Sequence, residues 1–165
     1  MEDKIAEEKE RDQDGLILLV AVDFSPCSEL AMKKAKSLLR QGQGRIVALH
    51  VIDHGFVEEC IKNHLGTESQ IKKDLFLQAK SRLRKFFDRE GMNGYSAEGV
   101  VCEGIPCVEI NKKAVEINSD MIIMGSKGKS EDMKTIFFGS TAERVLRFIT
   151  RPVLCVPPEA DYRIA

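Results

Sequence analysis

Short, continuous apolar runs alternate along the chain with segments whose apolar residues recur at helical spacing. An apolar run without polar alternation is typical of a strand that is covered on both faces, as in parallel sheets. The segments between the runs predict amphipathic helices. The predicted strands are residues 16–22, 45–52, 95–102, 120–125 and 152–156.

Four helices are predicted between these strands, and each has a recognisable start. Ser25 as N-cap, followed by Pro26 in the first helical position, begins the first helix. Capping boxes, in which Ser or Thr precedes Gln or Glu by three residues, begin the second and the fourth. The segment after the second strand is predicted to be a variable loop. The four starts are Ser25, Thr67, Ile105 and Ser140.

This alternation predicts the fold class α/β: a doubly wound, five-stranded parallel sheet with helices on both faces, which is a Rossmann-like architecture. Ligands of such sheets bind at the C-terminal ends of the strands, where the chain order reverses. The predicted domain spans residues 15–158. A disordered acidic lead-in is expected at 1–14 and a C-terminal tail at 159–165.

Two glycine-bearing turns carry the strongest functional signal. Gly125 falls where the fourth strand ends, Gly128 follows it closely, and Gly139 precedes the last helix. Glycine permits sharp turns, and the amide groups at the start of a helix attract phosphate. Asp23 follows the first strand at the same edge of the sheet, where its carboxylate can accept hydrogen bonds from a ribose hydroxyl or an adenine amine. The sequence therefore predicts a phosphate cradle with Asp23 across a crevice.

Other motifs give weaker predictions. Lys127 and Lys129 could meet phosphate charge, although lysines in polar loops are usually solvated. Ile123 stands where a Walker A loop needs its first glycine, which excludes a Walker ATPase. His50 and His54 lie in a strand and a loop rather than on a helix, so a structural histidine is favoured over a metal site. No nucleophile has a base at a readable spacing, and no catalytic residue is predicted.

Composition narrows the classes of partner and compartment. The 25 basic and 26 acidic residues nearly cancel, and no basic run is interleaved with aromatics, which argues against nucleic acid. The longest apolar run is far shorter than the roughly 20 residues that span a bilayer, so we expect no membrane partner and a cytoplasmic location. Five cysteines without Cys-x-x-Cys spacing predict free thiols, with Cys102 and Cys107 left open as a redox pair.

Taken together, these motifs closely resemble the universal stress protein family, specifically its ATP-binding branch. The resemblance covers roughly residues 16–157. It rests on Val-Ala-Val-Asp-Phe-Ser-Pro at 20–26, Leu-His-Val-Ile-Asp at 49–53, Gly-Ile-Pro at 104–106, the segment 120–128, Gly-Ser at 139–140 and Arg-Pro-Val-Leu-Cys-Val at 151–156. It implies the variant of the fold found in adenine nucleotide alpha hydrolases.

The resemblance also implies a ligand. ATP, or ADP or AMP, is expected, with Mg²⁺ or Mn²⁺ carried on the phosphates. Ten residues separate Gly128 from Gly139, one more than is usual in the family, so a relative that dimerises without binding nucleotide stays open as the alternative. The expected ligand contacts are Ala21, Asp23, Val51, Met124, Gly125, Gly128, Gly139, Ser140 and Thr141.

The function implied is that of a homodimeric stress-response sensor or regulator rather than an enzyme, with slow hydrolysis of ATP left open. Bound nucleotide would change the surface offered to an unknown protein partner. The predicted last strand, 152–156, is short and apolar and is expected at a sheet edge. Because unpaired edges associate, the homodimer is expected to form through it.

Overall fold

The computed structural model describes residues 15–39, 43–128 and 138–159. The predicted acidic lead-in at 1–14 therefore lies outside the described residues, as do Lys129 and all but the first residue of the predicted C-terminal tail. No helix in the described ranges is both long and apolar enough to cross a membrane.

Five strands and five helices are found in this part of the chain. The strands are β1 (Ile17–Ala21), β2 (Arg45–Asp53), β3 (Ser96–Gly104), β4 (Met121–Gly125) and β5 (Val153–Val156). The helices are α1 (Pro26–Leu38), α2 (His54–Lys62), α3 (Glu68–Glu90), α4 (Pro106–Glu116) and α5 (Ser140–Arg147).

The strands form one sheet in the order β3-β2-β1-β4-β5, and every neighbouring pair is parallel. The chain runs outward from β1 to one edge and then returns to β4 on the other side of β1. The C-terminal ends of β1 and β4 therefore flank the switch point at which such sheets bind ligands. The predicted doubly wound parallel sheet is confirmed, with β5 at an edge.

Two hydrophobic cores lie on opposite faces of this sheet. On β1, Leu18 and Val20 point into the core that contains α1 and α3. Leu19, between them, points into the core that contains α4 and α5. All three side chains are fully buried. A strand buried on both faces has no solvent side for polar residues, which explains why the sequence of β1 is continuously apolar.

Two of the predicted helix starts have the expected cap. The amide of Ser28 donates to Oγ of Ser25 at 3.2 Å, and Pro26 occupies the first turn of α1. Thr67 and Gln70 form a complete capping box at the start of α3. In both places the cap is local, so the sequence pattern is sufficient to predict it.

The predicted capping box at Ser140 is wrong. Gly139 is the N-cap of α5, Ser140 is its first helical residue, and the helix has no side-chain cap. The helix starts one residue early because Gly139 is held from outside, by a hydrogen bond from its amide to the carbonyl of Ser126 at 2.7 Å. Glu143 makes the first hydrogen bond of the helix, to the carbonyl of Gly139. The amides before Glu143 thus precede the helical ladder.

The predicted loop after β2 is also wrong, because helix α2 occupies most of it. Asp53 caps this helix by accepting a hydrogen bond from the amide of Gly55 at 2.8 Å. Val57 and Cys60 are buried in a small core against Ile71 and Ala79 of α3. Packing of one short apolar face on α3 thus stabilises a helix whose own sequence signals are weak.

Candidate functional site

A cavity of about 460 Å³ lies at the C-terminal edge of the sheet. The ends of β1, β2 and β4 form its floor, and the starts of α4 and α5 form part of its walls. All of the predicted ligand contacts line this one cavity, namely Ala21, Asp23, Val51, Met124, Gly125, Gly128, Gly139, Ser140 and Thr141.

The strand order explains why residues so distant in sequence meet here. Strand β1 lies between β2 and β4, and Val20 is level with Ala48 on one side and with Ile123 on the other. Neighbouring strands lie about 4.8 Å apart, so the segments that follow all three strands reach a single site. Asp23 follows the central strand and lines the cavity.

The two glycine-bearing turns are joined through the backbone of Ser126. Its amide donates to the carbonyl of Val156 at 2.8 Å, which attaches the first turn to the end of β5. Its carbonyl accepts the amide of Gly139 at 2.7 Å. Both ends of the ten-residue spacer, Gly128 and Gly139, consequently line the same cavity.

Glycine is required at Gly125 because α1 packs directly on it. A Cβ at this position would lie 2.5 Å from Cβ of Cys27 and 3.0 Å from its backbone carbon, both of which are too close. Gly128 has a different neighbour, since a Cβ there would lie 3.3 Å from Oδ2 of Asp23. The first glycine thus lets the helix approach the strand end, and the second leaves space beside a carboxylate.

Asp23 is fixed by its own turn. Its Oδ1 accepts the amide of Ser25 at 3.0 Å. The next residue, Phe24, has a φ of 63°, a left-handed conformation that bulky residues seldom adopt. Its ring lies 4.6 Å from the ring of His50 and 4.1 Å from the guanidinium carbon of Arg82, and these contacts hold the unusual turn in place.

His50 has structural contacts, as the sequence favoured. Its Nδ1 lies 2.7 Å from the carbonyl of Val22, immediately before Asp23. The second histidine of the predicted pair, His54, is the first residue of α2 and interacts with Glu103 at 3.0 Å. The two histidines thus have different partners on different elements.

Lys127 departs from the expectation of a solvated lysine. It is only 5% exposed and lines the cavity between the two glycines of the first turn. Within the described ranges, no group of three or more His, Cys, Asp or Glu side chains could hold a metal ion. The carboxylates of Asp23 and Asp53 line the cavity, so a divalent ion there would need oxygen ligands from phosphate and water as well.

Burial affects the reactivity of three of the thiols. All five cysteines are free. Burial is the main cause that raises the pKa of Cys27, Cys102 and Cys155, and the charge of Glu109 adds to the rise at Cys102. A raised pKa keeps a thiol protonated at neutral pH and makes it a weak nucleophile. This argues against the Cys102–Cys107 pair as a reactive dithiol.

Several cavity residues are absent from the sequence prediction. Pro106 and Ile110 of α4 and Phe56 of α2 give one end of the cavity an apolar wall. The sequence contained a signal for Pro106 and Ile110, because α4 begins directly after β3 and therefore lies at the same edge of the sheet as the glycine turns. Phe56 gave no signal because its segment was predicted to be a loop.

A parallel, doubly wound sheet with a cavity at its switch point is the arrangement of α/β domains in which ligands bind at the C-terminal ends of the strands. The chain belongs to the universal stress protein family, whose family model matches residues 17–157. It is 30% identical over 151 residues to universal stress protein MJ0577 of Methanocaldococcus jannaschii, covering 84% of this chain and 93% of that protein. The predicted family is confirmed.

Solved structures agree with this assignment. The MJ0577 structure matches with a TM-score of 0.74 and 31% identity, covering 87% of this chain and 96% of that one. A universal stress protein in complex with cAMP matches with a TM-score of 0.57 and 20% identity, covering 87% of this chain and 97% of that one. The Archaeoglobus fulgidus universal stress protein in complex with dAMP matches with a TM-score of 0.54 and 20% identity, covering 86% of this chain and 97% of that one. The last two show that the fold is shared.

Proposed function

We propose that this universal stress protein binds an adenine nucleotide, ATP or its products ADP and AMP, in the cavity at the switch point. One observation carries the proposal: every residue predicted as a ligand contact lines that single cavity. The nucleoside would lie beside Val51 and Asp23. The phosphates would lie between the turn of Gly128 and the start of α5.

The phosphate end has the chemistry that anions require. Gly128 and the first residues of α5 line the cavity, and the α5 amides that precede Glu143, together with the positive end of the helix dipole, attract anions. Hydrogen bonds to charged groups contribute about 1.5–3 kcal/mol each, so a few amides suffice for measurable affinity. The bond between Gly139 and Ser126 supports the proposal despite the longer spacer, because it holds the two turns together.

Relatives with this fold bind ligands of the same chemical class. One universal stress protein is in complex with cAMP and another with dAMP, and both ligands are adenine nucleotides. Mg²⁺ or Mn²⁺ would be held mainly by phosphate oxygens and water, and the Asp23 carboxylate beside Gly128 could add an oxygen ligand.

The proposed role is regulatory, in the cytoplasm and without fast turnover. The described residues that line the cavity include no histidine and no cysteine, the residue types that most often serve as general base and as thiol nucleophile. The edge strand β5 is the proposed homodimer contact. The Ser126 amide donates to the carbonyl of Val156 at the end of β5. Phosphate bound at the first glycine turn could therefore shift β5, and with it the surface offered to an unknown protein partner.

Calorimetric titration of nucleotide-free protein with ATP, ADP and AMP tests the proposal. Saturable binding of ATP at one site per chain supports it. No binding at millimolar ATP would overturn it and would leave a dimerising stress module of the same fold that binds no nucleotide. Release of phosphate faster than about one turnover per second would contradict the regulatory assignment, because that rate is already within the range of true enzymes.

A further inference from the structure

Phe56 is a large aromatic side chain that is half exposed although it borders a cavity. Its exposed fraction is 52%, and it lines the site together with Val51 and Pro106. Exposed aromatic surface on a cavity wall is characteristic of ligand-binding sites, whose walls are mainly apolar with a few placed polar groups. What Phe56 could contact depends on which end of the cavity it occupies.

The two ends of the cavity differ in chemistry. The glycine turns, Lys127 and the start of α5 make one end suitable for anions. The other end is lined by residues of β2, α2 and α4, which include apolar side chains and the carboxylate of Asp53 but no lysine or arginine. A ligand that fills both ends would be anionic at the first and would place flat or apolar surface against the apolar wall of the second. The apolar wall consists of Leu49, Val51, Phe56, Pro106 and Ile110.

Helix α2 holds Phe56 in position. On one side of it, the amide of Gly55 is bonded to the Asp53 cap at 2.8 Å. On the other side, Val57 is 1% exposed and is packed against α3. His54 adds a contact from α2 to Glu103 at the end of β3, at 3.0 Å. The residues on both sides of Phe56 are therefore held in place, which fixes the position of its ring on α2.

We propose that the ring of Phe56 stacks on the base of the bound nucleotide and makes the site selective for ligands that carry an aromatic base. This inference rests on the proposed function and deepens it by naming a residue that determines specificity. Stacking on an aromatic side chain is tolerant of base identity, because every base has a π-face. Phe56 thus contributes affinity for nucleotides in general, while the polar groups of the site discriminate among bases.

Substitution of Phe56 gives the first test. Phe56→Ala is expected to weaken ATP binding about tenfold, within the range of about 1–3 kcal/mol per base that alanine substitution of stacking residues produces. Leu77→Ala is the matched control, since Leu77 is 55% exposed and does not line this cavity. Its ATP affinity is expected to stay within about twofold of the unsubstituted protein, which is below 0.5 kcal/mol. Circular dichroism and thermal unfolding of both variants check the fold.

A fluorescence measurement separates contact with the base from an indirect effect on folding. The chain contains no tryptophan, so Phe56→Trp introduces a single indole at the proposed stacking position. Saturating ATP is expected to quench its emission, since stacking brings the base onto the indole ring. Leu77→Trp, the matched control, should keep its emission unchanged at the same ATP concentration.

The outcomes distinguish this inference from the proposed function. ATP binding that Phe56→Ala leaves unchanged would overturn the stacking inference alone. A weakened Phe56→Ala combined with unquenched Phe56→Trp at saturating ATP would also overturn it, because the ring would then act without touching the base. Failure of the unsubstituted protein to bind ATP would overturn both.

Discussion

The carboxylate of Asp23 lies beside the backbone of Gly128, such that a Cβ on Gly128 would come within 3.3 Å of Oδ2. The two residues follow the neighbouring strands β1 and β4 at the switch point of the sheet. Both residues line the cavity, where the proposed nucleotide would lie beside them. A side chain at either position therefore acts directly on the site.

Gly128→Ala is expected to weaken nucleotide binding while leaving stability nearly unchanged. Gly128 does not need a left-handed backbone, and in the described part of the chain its added methyl group would meet only Oδ2 of Asp23, at 3.3 Å, which requires a shift of a few tenths of an ångström. The methyl group narrows the phosphate end, and loss of one hydrogen bond to a charged group would lower ATP affinity about tenfold. Calorimetric titration and thermal unfolding measure the two effects. Unchanged affinity would contradict the assignment of this turn to phosphate.

Gly125→Ala is expected to do the opposite and reduce stability. Its Cβ would lie 2.5 Å from Cβ of Cys27, on a helix that cannot withdraw without opening the core around it. Overpacking of this kind costs about 1–3 kcal/mol. Denaturant unfolding measures the loss, and Gly128→Ala is the matched control, since it adds the same methyl group three residues later. Equal stability of the two variants would show that α1 adjusts at no cost.

Asp23→Ala should weaken ATP binding by about tenfold if the carboxylate accepts a hydrogen bond from the ligand. Asp23→Asn keeps an oxygen for the amide of Ser25, so it separates loss of charge from loss of the turn. Titration with ATP and with its 2′-deoxy and 3′-deoxy analogues identifies the donor. The penalty of Asp23→Ala should shrink for the analogue that lacks the bonded hydroxyl. A constant penalty for all three would point to the adenine amine instead of the ribose.

The sheet could be predicted because its determinants are local and periodic. Leu18 and Leu19 enter opposite cores, so neither face of β1 can be polar, and the continuous apolar run follows. The position of the site followed from the same pattern, because a doubly wound order brings the ends of β1 and β4 together. No contact between distant side chains was needed for either prediction.

The errors arise where distant parts of the chain decide local structure. The Ser140–Glu143 pattern is the same kind of signal as Thr67–Gln70, yet only the second forms a capping box. A hydrogen bond from Gly139 to Ser126 sets the start of α5, and the sequence does not encode that partner locally. Helix α2, with Phe56 on the cavity wall, depends in the same way on packing against α3.

Glu103 is expected to make stability dependent on acid pH. Its Oε1 lies 3.0 Å from Nδ1 of His54 and 3.3 Å from Nζ of Lys72, which connects α2 and α3 to the end of β3. The hydrogen bond from His54 is the main cause that lowers the pKa of Glu103 below its ordinary 4.5, and Lys72 adds to it. Because the pKa is lowered in the folded state, the stabilisation is present above pH 4.5 and is lost as the pH falls through the folded value.

Glu103→Gln should therefore lower the melting temperature at neutral pH by a small amount, consistent with about 0.2–1 kcal/mol for a largely solvent-accessible pair. The difference from the unsubstituted protein should vanish in acid. Glu98→Gln is the control, because its ion pair with Arg45 joins the strands β2 and β3 and not the helices α2 and α3. Thermal unfolding from neutral to acid pH measures all three proteins. A difference in melting temperature between Glu103→Gln and the unsubstituted protein that stays constant with pH would contradict the role of the Glu103 charge.

Cys155→Pro is expected to dissociate the proposed homodimer. The amides of Ile122 and Ser126 on the β4 side donate to the carbonyls of Pro152 and Val156, so alternate residues of this segment face β4. Val153 and Cys155 consequently direct their backbone groups away from the sheet, toward the open edge. Proline removes the amide of Cys155 from that edge and spares the bonds to β4. Cys155→Ala keeps the amide and is the matched control.

Sedimentation velocity at micromolar concentrations distinguishes the possibilities for β5. The unsubstituted protein and Cys155→Ala should sediment as dimers, and Cys155→Pro as a monomer that still binds ATP. Retained ATP binding would show that the substitution acts at the edge, because a disrupted β5 would also displace the turn that the Ser126 amide attaches to Val156. A dimer that Cys155→Pro leaves intact, or an unsubstituted protein that is a monomer, would contradict association through this strand.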